Sequence, residues 1–147
     1  MTTELHTKSV QTVAITVEAA AALIKAARVA SQSIGFESAI AVTDAAGNLK
    51  AFERTDRCPF LAADVAIDKA WTAAAFGLTT HTWAAVIENP KVAQLAHRPR
   101  LVAVGGGYPI IESGQVIGAI GSPAEMRSRT SRRQRLRSKK PGFDVPA

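Results

Sequence analysis

Lys69 stands in an otherwise apolar stretch beside Ala70 and Trp71. An ammonium near a buried face can anchor a carboxylate or a phosphate; equally, its stem can lie on apolar surface while the charge reaches water. Asp44 precedes a turn and Arg54 closes the segment that returns from it, so the two either pair or face a ligand, with the turn role favoured for Asp44. Three consecutive glycines, Gly105, Gly106 and Gly107, lead into Tyr108 and Pro109. Gly106, Gly107 and Pro109 either present backbone N–H groups to an anion or form a purely structural bend. His6, His81 and His97 lie far apart at unrelated spacings, which argues against a tight metal cluster. Haem needs only one or two axial donors, and His97 is then the candidate.

Other chemistries are excluded by what is missing. The chain has no GxSxG elbow, no HExxH and no Walker loop, and its GGGYP lacks the strand-then-helix setting of a dinucleotide fingerprint. One cysteine, Cys58, rules out an intrachain disulfide and any CxxC motif. The formal charge of +6 suggests nucleic acid, but its distribution does not. Residues 1–121 hold 10 Lys/Arg and 10 Asp/Glu, whereas the segment after Gly121 holds 8 and 2. The excess is therefore a solvated basic run, and no specific nucleic-acid partner is expected. No apolar run reaches a membrane span and no signal-peptide pattern opens the chain, so a cytoplasmic protein without membrane contact is expected.

The elements that must position these residues can be read from periodicity. Val17, Ala20, Ala21, Ile24 and Ala27 recur at helical spacing over residues 17–33, and Gly35 ends the helix. Residues 38–43 alternate around Ile40 and Val42, DAAGN turns and residues 49–54 run back, which predicts an antiparallel hairpin. Residues 60–76 return to helical spacing, with Phe60, Ala63, Ile67, Ala70, Trp71 and Ala74 on one side. Thr79 or Thr80 can cap a further helix towards Leu95, which Pro90 should break. Leu101–Val104 and the two runs flanking ESGQ supply three more strands. The order predicts an α+β fold with a central, mainly antiparallel five-stranded sheet flanked by helices.

Three blocks in order, AVTDAAGNLKAFERTD, DKAWTAAAFGLTT and VGGGYPIIESGQVIGAIG, resemble the GlcG/HbpS-like family over residues 17–121. The matching positions are Asp44, Gly47, Arg54, Lys69, Ala70, Thr72, Gly106, Gly107, Pro109 and Gly118. The resemblance implies the same α+β layering, homo-oligomerisation, and a small-molecule ligand that is haem or corrinoid-associated in some members. It brings no universal catalytic residues. The leading expectation is a small-molecule binding protein, with haem as the possible cofactor and Asp44, Arg54, Lys69, Gly106, Gly107, Pro109 and His97 as ligand-binding candidates. The alternative is an enzyme or accessory factor in aromatic or hydroxy-acid catabolism acting on an unstable keto, enol or imino acid. There Lys69 and Arg54 would hold carboxylates while Asp44 or a water moves a proton.

After Gly121 the resemblance stops. The family continues with a Ser-Gly-Gly turn, an acidic segment and an alanine-rich helix, whereas residues 122–147 read SPAEMRSRTSRRQRLRSKKPGFDVPA. This segment has no apolar face and is expected to be a poorly ordered tail outside the 1–121 domain. Reading each codon from its third base into the next two forces Asn or Asp at Glu125–Met126 and Ala or Glu at Met126–Arg127. With suitable synonymous codons, residues 122–130 become SGGNAEQD, so the tail is read as a frameshift. The nucleotide sequence checks this directly, and a chain carrying the alternate-frame ending should melt at a higher temperature, because each large apolar side chain it buries adds about 1.5–3 kcal/mol.

Overall fold

The computed structural model describes residues 7–123; the basic tail and the frameshift reading, beyond Ser122 and Pro123, lie outside the described residues. Helix α1 (Val17–Ser33) starts where the Thr16 hydroxyl accepts the Ala19 N–H at 3.1 Å, satisfying one of the donors that every helix start leaves open. Strands β1 (Ala39–Asp44) and β2 (Leu49–Arg54) form the expected antiparallel hairpin. Helix α2 (Phe60–Phe76) ends at Gly77 in the left-handed conformation. A short helix α3 (Thr80–Val86) is capped by Thr79, whose hydroxyl accepts the Thr82 N–H at 3.1 Å. Strands β3 (Gly107–Glu112) and β4 (Gln115–Gly121) complete a sheet of order β2-β1-β4-β3, antiparallel throughout.

Successive residues of β1 point to opposite faces, and the two faces are built from different residues. On one, Ile40 and Val42 pack with Ile15, Ile24, Ala27, Ile110 and Ile117 beneath α1. Here α1 buries Ala20, Ile24, Ala27 and Ser31, while Val17 and Ala21 of the expected stripe face solvent. On the other face, Ala39, Ala41 and Ala119 meet Ala66, Ala70 and Ala73 of α2. The inward side of α2 is this alanine row, and Phe60 from the expected side is 79% exposed. Only small side chains let the helix axis come this close to the sheet. At Gly121 the approach is complete, since a Cβ there would collide with the Ala66 carbonyl oxygen.

Two further expectations are corrected. The sheet has four strands among the described residues, not five, because Leu101–Val104 is irregular. Arg100 takes a positive φ of 72° immediately before this segment, and the Val102 N–H is satisfied by the Thr72 hydroxyl at 3.1 Å instead of by a neighbouring strand. The helix expected to run from Thr80 towards Leu95 stops at Val86, ahead of Pro90, and the chain resumes as a 3-10 helix at Ala93–His97.

Gly121→Ala should destabilise the protein by about 1–3 kcal/mol, as over-packing of a tight core does. Urea unfolding would register this as a lower midpoint, whereas Ala21→Ser on the exposed side of α1 should leave the midpoint nearly unchanged.

Candidate functional site

Lys69 lies on the sheet-facing half of α2 and is 5% exposed, so nearly all of the side chain is enclosed. Its Nζ donates to the Ser122 carbonyl at 3.2 Å. Ser122 in turn donates to the Gly106 carbonyl twice, from its N–H at 2.8 Å and from its hydroxyl at 3.1 Å. The Gly107 N–H donates to the Thr80 hydroxyl at 2.8 Å. Gly106 has φ +124°, and a Cβ there would collide with the Ser122 carbonyl oxygen and come to 2.9 Å from Lys69 Nζ. Lysine, glycine bend and strand end are thus one unit, in which Gly107 spends its N–H on Thr80. Pro109 is buried on β3 opposite Ala119.

A second set of contacts fixes the loop that carries the bend. Thr72 Oγ1 lies 2.7 Å from the Asp68 carbonyl and 3.0 Å from the Arg100 carbonyl, either of which its proton can reach, and it accepts from Val102. Arg100 Nε donates to Asp68 Oδ1 at 3.0 Å, and its guanidinium sits 4.8 Å from the Trp71 ring centroid. The turn of helix from Asp68 to Thr72 therefore holds Lys69 inward and the loop outward.

A cleft of about 260 Å³ opens at the end of the sheet where β1 begins and β4 ends. Lys69 and Ser122 line it together with Glu37, Ser38, Cys58 and Pro123, and Ala62, Val65 and Ala66 add an apolar wall. The Ser38 hydroxyl is engaged with that of Ser31 at 2.8 Å. Burial pushes the Cys58 thiol up; nearby Arg54 opposes this and Glu37 adds to it, so the sulfur stays protonated at neutral pH. Glu37 Oε2 accepts the Arg57 N–H at 3.4 Å.

Of the candidates read from sequence, Lys69, Gly106 and Gly107 are brought together. Arg54 is exposed at the end of β2, opposite the cleft residue Ala39. Asp44 is at the other end of β1, about 16 Å from Ala39 at the usual strand rise. Its Oδ1 accepts the N–H groups of Ala46 at 3.0 Å and Asn48 at 2.9 Å. Burial raises its pKa, but the Asn48 and Ala46 hydrogen bonds and the charge of Lys50 outweigh this and hold it below its ordinary value of 3.8. Lys69 and Asp44 therefore cannot act on one small ligand. His97 is exposed on the 3-10 helix and does not line the cleft. His81 is exposed on α3, and His6 lies outside the described residues.

Sequence reasoning missed Ser122, Glu37 and Thr80. Ser122 falls on the far side of the compositional seam yet is 7% exposed. Only its place directly after Gly121 could have signalled a role. Among the described residues no group of His, Cys, Asp and Glu could hold a metal ion, and no helix is long and apolar enough to cross a membrane.

The fold and site define a small α+β protein with a helix on each face of an antiparallel sheet and a lysine-floored cleft at one sheet end. The chain belongs to the family described as haem degrading protein HbpS-like, which residues 15–124 match. It is 35% identical to Protein GlcG of Escherichia coli strain K12 over 102 residues, covering 69% of this chain and 75% of that protein. The crystal structure of Klebsiella pneumoniae protein ORFY superposes with a TM-score of 0.77 at 28% identity, covering 86% of this chain and 91% of ORFY. The crystal structure of a PduOC:heme complex shares the fold, with a TM-score of 0.71 at 24% identity over 82% of this chain and 91% of that one.

Thr72→Val keeps the side chain's shape but strands the Val102 N–H. Stability should fall by about 1 kcal/mol, the usual net worth of a hydrogen bond, since this one is only part-buried. Amide exchange should accelerate selectively over residues 101–106.

Proposed function

We propose that this protein binds a small organic anion in the cleft floored by Lys69. The observation that carries the reading is a lysine enclosed at 5% exposure on the floor of a cleft with an apolar wall. Binding sites are usually mostly apolar cavities with a few convergent polar groups that fix orientation. A charge-assisted hydrogen bond to the ammonium gains strength where water is excluded. Lys69 is the one cation among the described residues lining the cleft, so an anion is the ligand it favours.

Haem is the second reading, and the family's description is what favours it. Among the described residues no histidine lines the cleft, so the group finds no imidazole donor there. Cys58 is the one sulfur lining it, and burial pushes its thiol up. Haem would then sit on an open surface, with His97 as the axial candidate, at a contact between copies of the chain. The catabolic alternative draws on the same cleft, but it needs a proton-transfer group other than Asp44.

Calorimetric titration with small carboxylates should give saturable binding. Lys69→Met should weaken it by roughly 10- to 100-fold, corresponding to about 1.5–3 kcal/mol for a hydrogen bond to a charged group. Circular dichroism checks that the variant is folded. A titration with hemin separates the second reading: a stoichiometric Soret shift lost in His97→Ala but kept in Lys69→Met supports surface haem, and a flat trace removes it.

A further inference from the structure

The two helices do not cover the sheet equally. Helix α1 lies over β1 and β2, whereas α2 lies over β1, β4 and β3 and scarcely reaches β2, so among the described residues the α2 side of β2 is left uncovered. Phe52 pairs with Ala41 and Leu49 with Thr43, which puts both on that side of the sheet, and they are 39% and 50% exposed. The flank of α2 beside them is one row, Phe60, Ala63, Ile67 and Trp71, at three- and four-residue spacing. Ala63 and Ile67 are half-buried against the alanine layer, and Trp71 packs on the β1–β2 turn, where a Cβ at Gly47 would lie 2.8 Å from the indole. Phe60 projects from the end of the row at 79% exposure. Strand and row thus bound an apolar groove, along a strand of roughly 20 Å and a helix of roughly 25 Å. Soluble monomers rarely leave apolar surface of more than a few hundred Å² bare. The segment after Gly121 has no apolar face with which to cover it.

The rim of the groove carries both signs of charge. Lys50 and Arg54 are exposed on the strand side, Asp64 is exposed on the helix side one turn beyond Phe60, and none of the three joins an ion pair among the described residues. We propose that a second copy of this chain docks on this face about a two-fold axis, with the strand side of each protomer against the helix side of the other. Such an interface is self-complementary: each Arg54 meets the partner's Asp64, and each Phe60 enters the partner's groove. A strongly charged partner of another kind would call for a rim of one sign, and this rim is mixed. Residues 1–121 balance 10 Lys/Arg against 10 Asp/Glu, so the folded part has no net charge of its own to overcome in meeting its copy. Docking by the face, not by the edge, follows from Lys50. The β1–β2 register shifts there, pairing Val42 with Ala51 and Thr43 with Leu49, and a bulged edge bearing charged side chains resists continuation of the sheet.

Sedimentation of the full chain should show a dimer at about 10 μM, the weak end of the range that specific interfaces span. Phe52→Asp and Phe60→Asp should each raise the dissociation constant by about 100-fold, because a change at a two-fold interface counts twice. Val29→Asp, at an exposed position on α1, should leave it unchanged. Arg54→Asp should weaken the dimer, and adding Asp64→Arg should return it to within about 3-fold of the starting value, since the pair is then reversed but intact. Circular dichroism checks that each variant is folded, and the charge reversal decides the matter even where an aromatic change unfolds the chain. A monomer at that concentration, a dimer indifferent to Phe52→Asp and Phe60→Asp, or a reversed pair that restores nothing would overturn the proposed face. Dissociation by Val29→Asp to the same extent would assign assembly to α1 and overturn it as well.

Discussion

The closeness of α2 to the sheet is the constraint on which the rest of the molecule depends. Ala66, Ala70 and Ala73 lie against Ala39, Ala41 and Ala119, and Gly121 leaves no room for a side chain beneath the Ala66 carbonyl. Dispersion contacts are short-ranged, so a face made of such small groups gains its energy only when backbone approaches backbone. That approach also sets the height of Lys69, which lies in the turn between Ala66 and Ala70. A helix held further from the sheet would let the lysine swing to solvent.

Once α2 is seated, the polar contacts follow from position. Lys69 meets the strand end at Ser122, Ser122 meets the bend at Gly106, and Thr72, one turn along, meets the loop at Arg100 and Val102. Each contact satisfies a backbone group that no strand or helix satisfies, which an irregular loop over a packed helix must achieve some other way. The loop can be both irregular and fixed because side chains from α2 serve as its hydrogen-bonding partners. The cleft is the space this arrangement leaves at the sheet end, with Lys69 in its lining.

Much of the fold was legible in the sequence because local signals and tertiary packing agree. The bounds of α1 follow from the 3.6-residue rhythm and Gly35, and the β1–β2 hairpin follows from alternation around Ile40 and Val42 and the turn at DAAGN. The fifth strand was misread because Leu101–Val104 is apolar enough for a strand; its partner is a threonine hydroxyl thirty residues earlier, which no local pattern reveals. The inward side of α2 was misread for a related reason. Phe60 and Trp71 dominate a count of apolar residues, yet the sheet selects for smallness and takes the alanines. At the site, Lys69 stood out as a charge in an apolar run. Glu37 did not, because a glutamate in a connecting segment looks like any surface residue until the cleft beside it is known.

The two faces of the sheet also differ in how freely they can change over generations. Beneath α1, isoleucine and valine side chains interlock, and a loss at one position can be made good by growth at a neighbour, so many combinations fill the same volume. Beneath α2 no compensating growth is possible, because alanine can shrink only to glycine and Gly121 cannot shrink at all. The aliphatic face is free to drift, while the alanine face is a one-way ratchet that admits few neighbouring sequences. Lys69 rides on the restricted face, so its position is held by the same packing.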